Sequence, residues 1–334
     1  MEEKKPLVSI CVLAYNHKKY IRQALDSFLE QKTDFSFEIV IHDDASPDGT
    51  ADIIREYEEK YPDRIKPLLQ TENQYSRGIA NISGAFNFPR ASGKYIAFCE
   101  GDDYWLDPDK LKKQAEYMEA HPECHLYIHG ARVVAEDGSF LRESRPYRED
   151  RVLRAEEVID ERELYPSASM FFRTEDVRKL PEFYWQAPVG DIPLHLYLAS
   201  LGTTFYKNEL MSAYRLGAVS SWVTTHGAGS REERVARSLS HNRAMRRMYR
   251  DFDAYTEGKY HAAVAYTLLR MELGYELDAE HYREALAPRY KEIRKKELSW
   301  KDRAYIRARR IVPASLYRGI RRIGTRLCRK KRSV

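Results

Sequence analysis

Short apolar runs alternate with amphipathic stretches over the first hundred residues. Val8 to Ala14 is almost continuously apolar, as strands buried on both faces of a parallel sheet are. Tyr15-Asn16-His17 reads as a turn, and Lys18 to Gln31 puts Ile21, Leu25, Phe28 and Leu29 on one helical face. Phe37 to His42 repeats the strand pattern and ends at Asp43-Asp44. Ala45-Ser46-Pro47-Asp48-Gly49 is rich in turn formers, and Thr50 to Tyr61 predicts a helix with Ile53, Ile54 and Tyr57 inward, stopped by Pro62. Ile65 to Leu69 and Tyr95 to Cys99 predict two more strands, separated by a loop at 71–78 and an irregular segment. Leu106-Asp107-Pro108-Asp109 predicts a helix start with Asp107 as N-cap and Pro108 at N1. Beyond it, His125 to Val134, Ser167 to Arg173 and Thr203 to Arg215 read as strands with short helices between them, and from about Arg231 the pattern is helical. Strands alternating with helices imply an α/β fold with a doubly wound sheet, continued here as a mixed sheet. The expected organisation is a domain over 1–228 and a helical region over 229–334, divided near His226-Gly227-Ala228-Gly229-Ser230.

In such sheets the ligand crevice lies outside the carboxyl ends of the strands. Those ends carry Tyr15-Asn16, Asp43-Asp44 and Glu100-Gly101-Asp102-Asp103. Three carboxylates at one strand end repel each other unless a positive charge neutralises them. Mg²⁺ does so with one or two carboxylates and completes its shell with substrate phosphates. An acidic turn in water is the plain alternative, since Asp and Gly favour turns. Convergence of three polar clusters on one sheet edge favours the ligand site.

Composition adds an asymmetry. Residues 291–334 hold 17 Lys and Arg against 3 Asp and Glu, so the +5 of the chain divides into +14 there and −9 over residues 1–290. The cysteines Cys11, Cys99, Cys124 and Cys328 show no metal-ligand spacing, and Cys11 and Cys99 fall inside apolar strands, which suits a reducing compartment. The first residues lead directly into a strand with no signal-peptide pattern, and no run approaches the ~20 apolar residues of a membrane-spanning helix. A cytoplasmic protein is the expectation.

The strand-end motifs, taken in order, resemble family 2 glycosyltransferases of the GT-A fold. They are Val8 to Asn16, then Glu38-Ile39-Val40-Ile41-His42-Asp43-Asp44-Ala45-Ser46-Pro47-Asp48-Gly49-Thr50, then Gly93 to Asp103. The resemblance covers roughly the first 220 residues. It implies an inverting sugar transfer from a nucleotide-sugar donor, usually assisted by Mg²⁺ or Mn²⁺. It implies that Ala14, Tyr15 and Asn16 line the nucleotide and that Asp43 accepts a hydrogen bond from a uracil ring. Many members carry Pro-Thr where this chain has Leu13-Ala14, so that contact passes to backbone or to Asn16. Glu100-Gly101-Asp102 matches the acidic-x-acidic motif with Glu in the first place, which makes Asp102 and Asp103 the residues for metal and diphosphate. Asp44 and Asp48 are expected to shape their loop through local side-chain to backbone bonds.

A general base must take the acceptor's proton. The resemblance puts it at Asp191, in Pro188-Val189-Gly190-Asp191-Ile192-Pro193-Leu194, with Glu182 as a rival; an N-cap is the structural alternative for Asp191. Arg77 reads either as a ligand of the donor phosphate or as a solvated loop residue. His226 stands where some GT-A enzymes place a third metal ligand, and also reads as a structural histidine.

The basic tail carries Leu316, Ile320, Ile323 and Leu327 at helical spacing, a pattern of membrane-surface helices. An anionic membrane is its expected partner, in preference to nucleic acid, which makes the protein peripheral on the inner face of the cell membrane. The functional expectation is sugar transfer to a saccharide or lipid-linked saccharide acceptor in surface polysaccharide assembly. The alternative is a non-catalytic sugar-binding or membrane-docked assembly protein on the same fold. An NAD-dependent oxidoreductase is disfavoured because the turn from Tyr15 to Tyr20 contains no glycine.

Overall fold

The structure is a computed structural model that describes residues 5–160, 165–219 and 227–309. A ten-stranded sheet dominates it, with strand order β3-β2-β1-β4-β9-β6-β10-β5. The strands of the first half are β1 (Val8–Ala14), β2 (Phe37–Asp43), β3 (Ile65–Leu69) and β4 (Tyr95–Glu100), all mutually parallel. The second half holds β5 (Tyr104–Trp105), β6 (Cys124–Val134), β9 (Phe171–Arg173) and β10 (Thr203–Arg215), with β7 (Phe140–Ser144) beside β6 and β8 (Arg151–Leu153) beside β10. β9 is antiparallel to both β4 and β6, and β6 is parallel to β10. Hence β6 and β10 run in the same sense as β1 to β4, and all their carboxyl ends emerge at one edge.

Helices α1 (Ile21–Leu29), α2 (Thr50–Lys60) and α3 (Lys110–Ala120) cover the sheet. Ile10, Val12, Ile39, Ile41, Tyr95 and Ala97 share a core with Leu25 and Phe28 of α1, Ile54 of α2 and Leu111 and Met118 of α3. Because neighbouring layers bury both faces, β1 reads as a continuous apolar run.

Some local expectations are corrected. Asp107 does not cap α3: the N-cap is Asp109 and the helix starts at Lys110. Asp107 instead accepts the Asp109 N–H at 2.9 Å and the Lys113 ammonium at 2.7 Å. Pro108 carries no backbone N–H, and the helix begins two residues beyond it. Residues 167–169 form a 3₁₀ turn, and only Phe171–Arg173 is strand. The strands Tyr104–Trp105 and Arg151–Leu153 are too short to leave a periodic signal.

Chain contacts divide the protein into two units, Met1–Val158 with Tyr165–Thr225 and Ile159–Leu164 with His226–Val334. The short helix α4 (Ala155–Asp160) spans the first division. The second unit is helical, with α7 (Arg231–Tyr255), α8 (His261–Asp278), α9 (Lys291–Glu297) and α10 (Trp300–Arg309). Ser230 opens it with a capping box to Glu233. Leu273, Leu277, Tyr290, Ile293 and Ile306 form its core. No described helix is long and apolar enough to cross a membrane. The tail after residue 309, with Cys328, lies outside the described residues.

Candidate active site

The turns after β1 and β2 are stitched together. Asn16 donates its backbone N–H to the Ser46 hydroxyl at 2.9 Å, His17 to Thr50 Oγ1 at 2.9 Å and Lys18 to Asp48 Oδ2 at 3.0 Å. Asp48 Oδ1 also accepts the Thr50 N–H and hydroxyl. Asn16 and Ala45 sit at φ 58° and 59°, a left-handed conformation that strains a residue with a Cβ. Ala14 and Tyr15 lead into this double turn, Ala14 buried and Tyr15 half-buried.

Asp43 ends β2 and is buried; its two oxygens accept the Ser46 hydroxyl and N–H. Burial raises its pKa, and the Ser46 bonds pull it back. Asp44 acts at longer range than expected. Its oxygens accept the N–H groups of Gln74 (2.7 Å) and Tyr75 (3.1 Å), which anchors the 71–78 loop. Arg77 on that loop is 62% exposed and pairs with Glu72 at 2.7 Å.

The β4 turn is built by close approach. Gly101 donates to the Leu13 carbonyl at 2.8 Å, and a Cβ there would come within 2.9 Å of His17 Nδ1 and Ile21 Cδ1. Asp102 and Asp103 are 5% and 1% exposed. Asp102 Oδ2 lies 3.9 Å from His17 Nε2, while Asp103 Oδ1 accepts the Arg215 N–H at 2.8 Å. Their other oxygens, Asp102 Oδ1 and Asp103 Oδ2, are buried without a hydrogen-bond partner. Burial is the first cause that raises Asp103, followed by the charges of Asp102 and Glu100. Two bare carboxylate oxygens are costly to bury and suit a hard cation that a ligand's phosphates complete. Among the described residues no three His, Cys, Asp or Glu side chains converge as a closed metal cage. The donor set therefore fits Mg²⁺ or Mn²⁺ held jointly with a substrate. His226 lies outside the described residues.

Asp191 is the first residue of α6 (Asp191–Leu201), with Gly190 in the N-cap position, so the N-cap alternative for Asp191 does not hold. Its Oδ1 accepts the Ile192 N–H at 2.8 Å, and its carbonyl meets His195 Nδ1 at 2.8 Å. Glu182 is the exposed first residue of the short helix α5 (Glu182–Trp185), where it accepts from Gln186 at the helix C-cap. Asp191 shares its field with the β4 turn. Glu100 is pushed up to about 8, first by burial, then by Asp102 and Asp191, with a Ser167 bond opposing. Tyr214, near the end of β10, is raised by burial and then by Glu100, Asp103, Asp102 and Asp191. The charges of Glu100, Asp103, Asp102 and Asp191 thus all bear on Tyr214. Sequence reasoning missed Tyr214 and His17: neither belongs to an acidic motif, and only their positions beside strand ends could have drawn notice.

A model of glycosyl transferase family 2 matches residues 9–177, from β1 past β9. The chain belongs to this family. It has the GT-A fold. It is similar to an uncharacterized protein of Mycobacterium tuberculosis, 38% identical over 222 residues that cover 64% of this chain and 60% of that protein. It is also similar to the putative teichuronic acid biosynthesis glycosyltransferase TuaG of Bacillus subtilis, 38% identical over 41% of this chain and 51% of TuaG. The Escherichia coli UDP-Glc:alpha-D-GlcNAc-diphosphoundecaprenol beta-1,3-glucosyltransferase WfaP is 39% identical over 36% of this chain and 45% of WfaP. The chain thus spans less than two thirds of the length of these relatives. Staphylococcus aureus TarS 1–349, solved with UDP-GlcNAc, shares the fold at TM-score 0.56 and 16% identity over 90% of this chain and 79% of TarS 1–349. Mannosyltransferase PcManGT of Pyrobaculum calidifontis, solved with GDP-Man and Mn²⁺, does so at TM-score 0.50 and 17% identity over 92% and 85%.

Proposed function

We propose that this enzyme is a metal-dependent, inverting glycosyltransferase that takes a sugar from a UDP-sugar and delivers it to a saccharide or lipid-linked saccharide acceptor in surface polysaccharide assembly. Asp102 and Asp103, buried at the carboxyl edge of the sheet with one unpartnered oxygen each, carry this reading. The names of TuaG and WfaP support polysaccharide assembly and a lipid-linked acceptor. UDP-GlcNAc in TarS supports a uridine donor, and Mn²⁺ in PcManGT supports a divalent cation.

The nucleotide lies along Ala14, Tyr15 and Asn16, with its base against Asp43, and Arg77 reaches the diphosphate by exchanging its Glu72 partner. Asp102 and Asp103 would hold the cation, which would supply positive charge to neutralise the leaving diphosphate. Asp191 takes the proton of the acceptor hydroxyl as that oxygen bonds to the anomeric carbon from the face opposite the diphosphate. The anomeric C–O bond breaks, its electron pair leaves with the nucleoside diphosphate, and the configuration inverts. The basic segment after Lys291 holds the enzyme to the anionic inner face of the cell membrane, each basic residue adding about 1 kcal/mol.

The deciding experiment incubates the protein with UDP-glucose, UDP-GlcNAc and GDP-mannose, with Mn²⁺ or EDTA, and follows nucleotide release. Mn²⁺-dependent release from a UDP-sugar is expected. Release unaffected by EDTA, or confined to GDP-mannose, overturns the metal or the uridine assignment respectively.

A further inference from the structure

Arg215 ends β10 and is 4% exposed, yet none of its described partners is a carboxylate side chain that meets its guanidinium. Nε donates to the Asp102 carbonyl at 2.9 Å. Nη1 donates to the carbonyls of Ala135 and Glu136, at 3.4 and 2.7 Å, in the turn after β6. Nη2 donates to Gln23 Oε1 on α1 at 2.8 Å. The plane lies 4.8 Å from the Tyr20 ring centroid and 5.6 Å from that of Tyr104. The backbone N–H of the same residue holds Asp103 Oδ1.

We infer that Arg215 is the positioning residue of the diphosphate end of the site, fixing the Asp102–Asp103 peptide so that Asp102 Oδ1 and Asp103 Oδ2 stay free for a shared cation. This rests on the cation and UDP assignments above. The side chain controls the peptide plane through its carbonyl, and the main chain pins one oxygen of Asp103. The other oxygens of both residues are those left without partners. An open cleft of about 700 Å³, bordered by Lys19, Tyr20, Gln23, Glu136 and Arg215, lies beside the guanidinium. The guanidinium fork joins the walls of this cleft to the Asp102 carbonyl. The role calls for arginine, because a planar fork of five N–H groups reaches three elements at once, whereas lysine offers a compact charge on a flexible stem. Register shifts in β10 between Lys207 and Ser212 precede Arg215 along the strand.

The test is calorimetry of UDP binding in EDTA and in Mn²⁺, with melting temperatures, for the wild type, Arg215→Lys and Gln23→Leu. The wild type is expected to bind UDP more tightly in Mn²⁺. Arg215→Lys is expected to lose about tenfold of that gain, while its affinity in EDTA stays within about twofold. Gln23→Leu removes one strut and is expected to shift the gain in the same direction by about two- to fivefold. An undiminished Mn²⁺ gain in Arg215→Lys overturns the inference, as does equal loss in EDTA and Mn²⁺ with a lowered melting temperature. Should Arg215→Lys not fold, an unchanged gain in Gln23→Leu overturns it. A wild type that binds UDP without any Mn²⁺ gain removes the cation assignment instead, and this role with it.

Discussion

At position 191 the carboxylate accepts the Ile192 N–H from the first turn of α6, a bond that an amide oxygen can also accept. Asp191→Asn therefore keeps the local geometry and removes the proton acceptor. The expected result is a fall in transfer rate of about 10²–10⁴ with UDP affinity and melting temperature unchanged; a fully active variant would move the base elsewhere. Asp43→Ala should weaken UDP binding by ~1.5–3 kcal/mol, as a charged hydrogen-bond acceptor is lost, and calorimetry reads it. Ala45 offers a stability test at the same scale. Its φ of 59° strains an alanine but not a glycine, so Ala45→Gly should raise stability by about 0.5–1 kcal/mol in urea unfolding.

At the scale of elements, α3 carries a buried ammonium under the sheet. Lys110 is fully buried, donates to Gln114 at 2.8 Å and lies 3.9 Å from the Trp105 ring centroid. Burial lowers its pKa from 10.5 to about 7. Between those values the unfolded chain binds the proton and the folded chain does not. The contribution of this residue to stability therefore rises with pH from 7 to 10.5, by at most ~5 kcal/mol. Lys110→Met should abolish that slope and raise the melting temperature more at pH 7 than at pH 10, read by thermal unfolding at both. A slope identical to the wild type's would show that the ammonium stays protonated inside.

For the whole molecule, the charge asymmetry yields a prediction independent of catalysis. Removing the residues after Lys301 should release the protein from anionic liposomes and leave activity on a soluble acceptor intact. Equal co-sedimentation of the two forms would refute the membrane role.

The β1, β2 and β4 strands and their polar ends were legible because a strand buried on both faces is a continuous apolar run and a turn needs Asp, Asn and Gly. Those are local requirements, so the strand-end positions of Asp43, Asp102 and Asp103 could be placed from the chain alone. The start of α3 was misread because Asp107-Pro108-Asp109 offers two caps, and which one is used depends on the Asp107 contacts with Lys113. Asp44 looked local but reaches Gln74 and Tyr75, thirty residues on. Tertiary structure alone decided that Arg215 ties Asp102 to Gln23 and Glu136. These pairings join residues up to 192 positions apart. No periodicity or motif encodes such a distance; it exists only once the parallel strands bring their carboxyl ends to one edge.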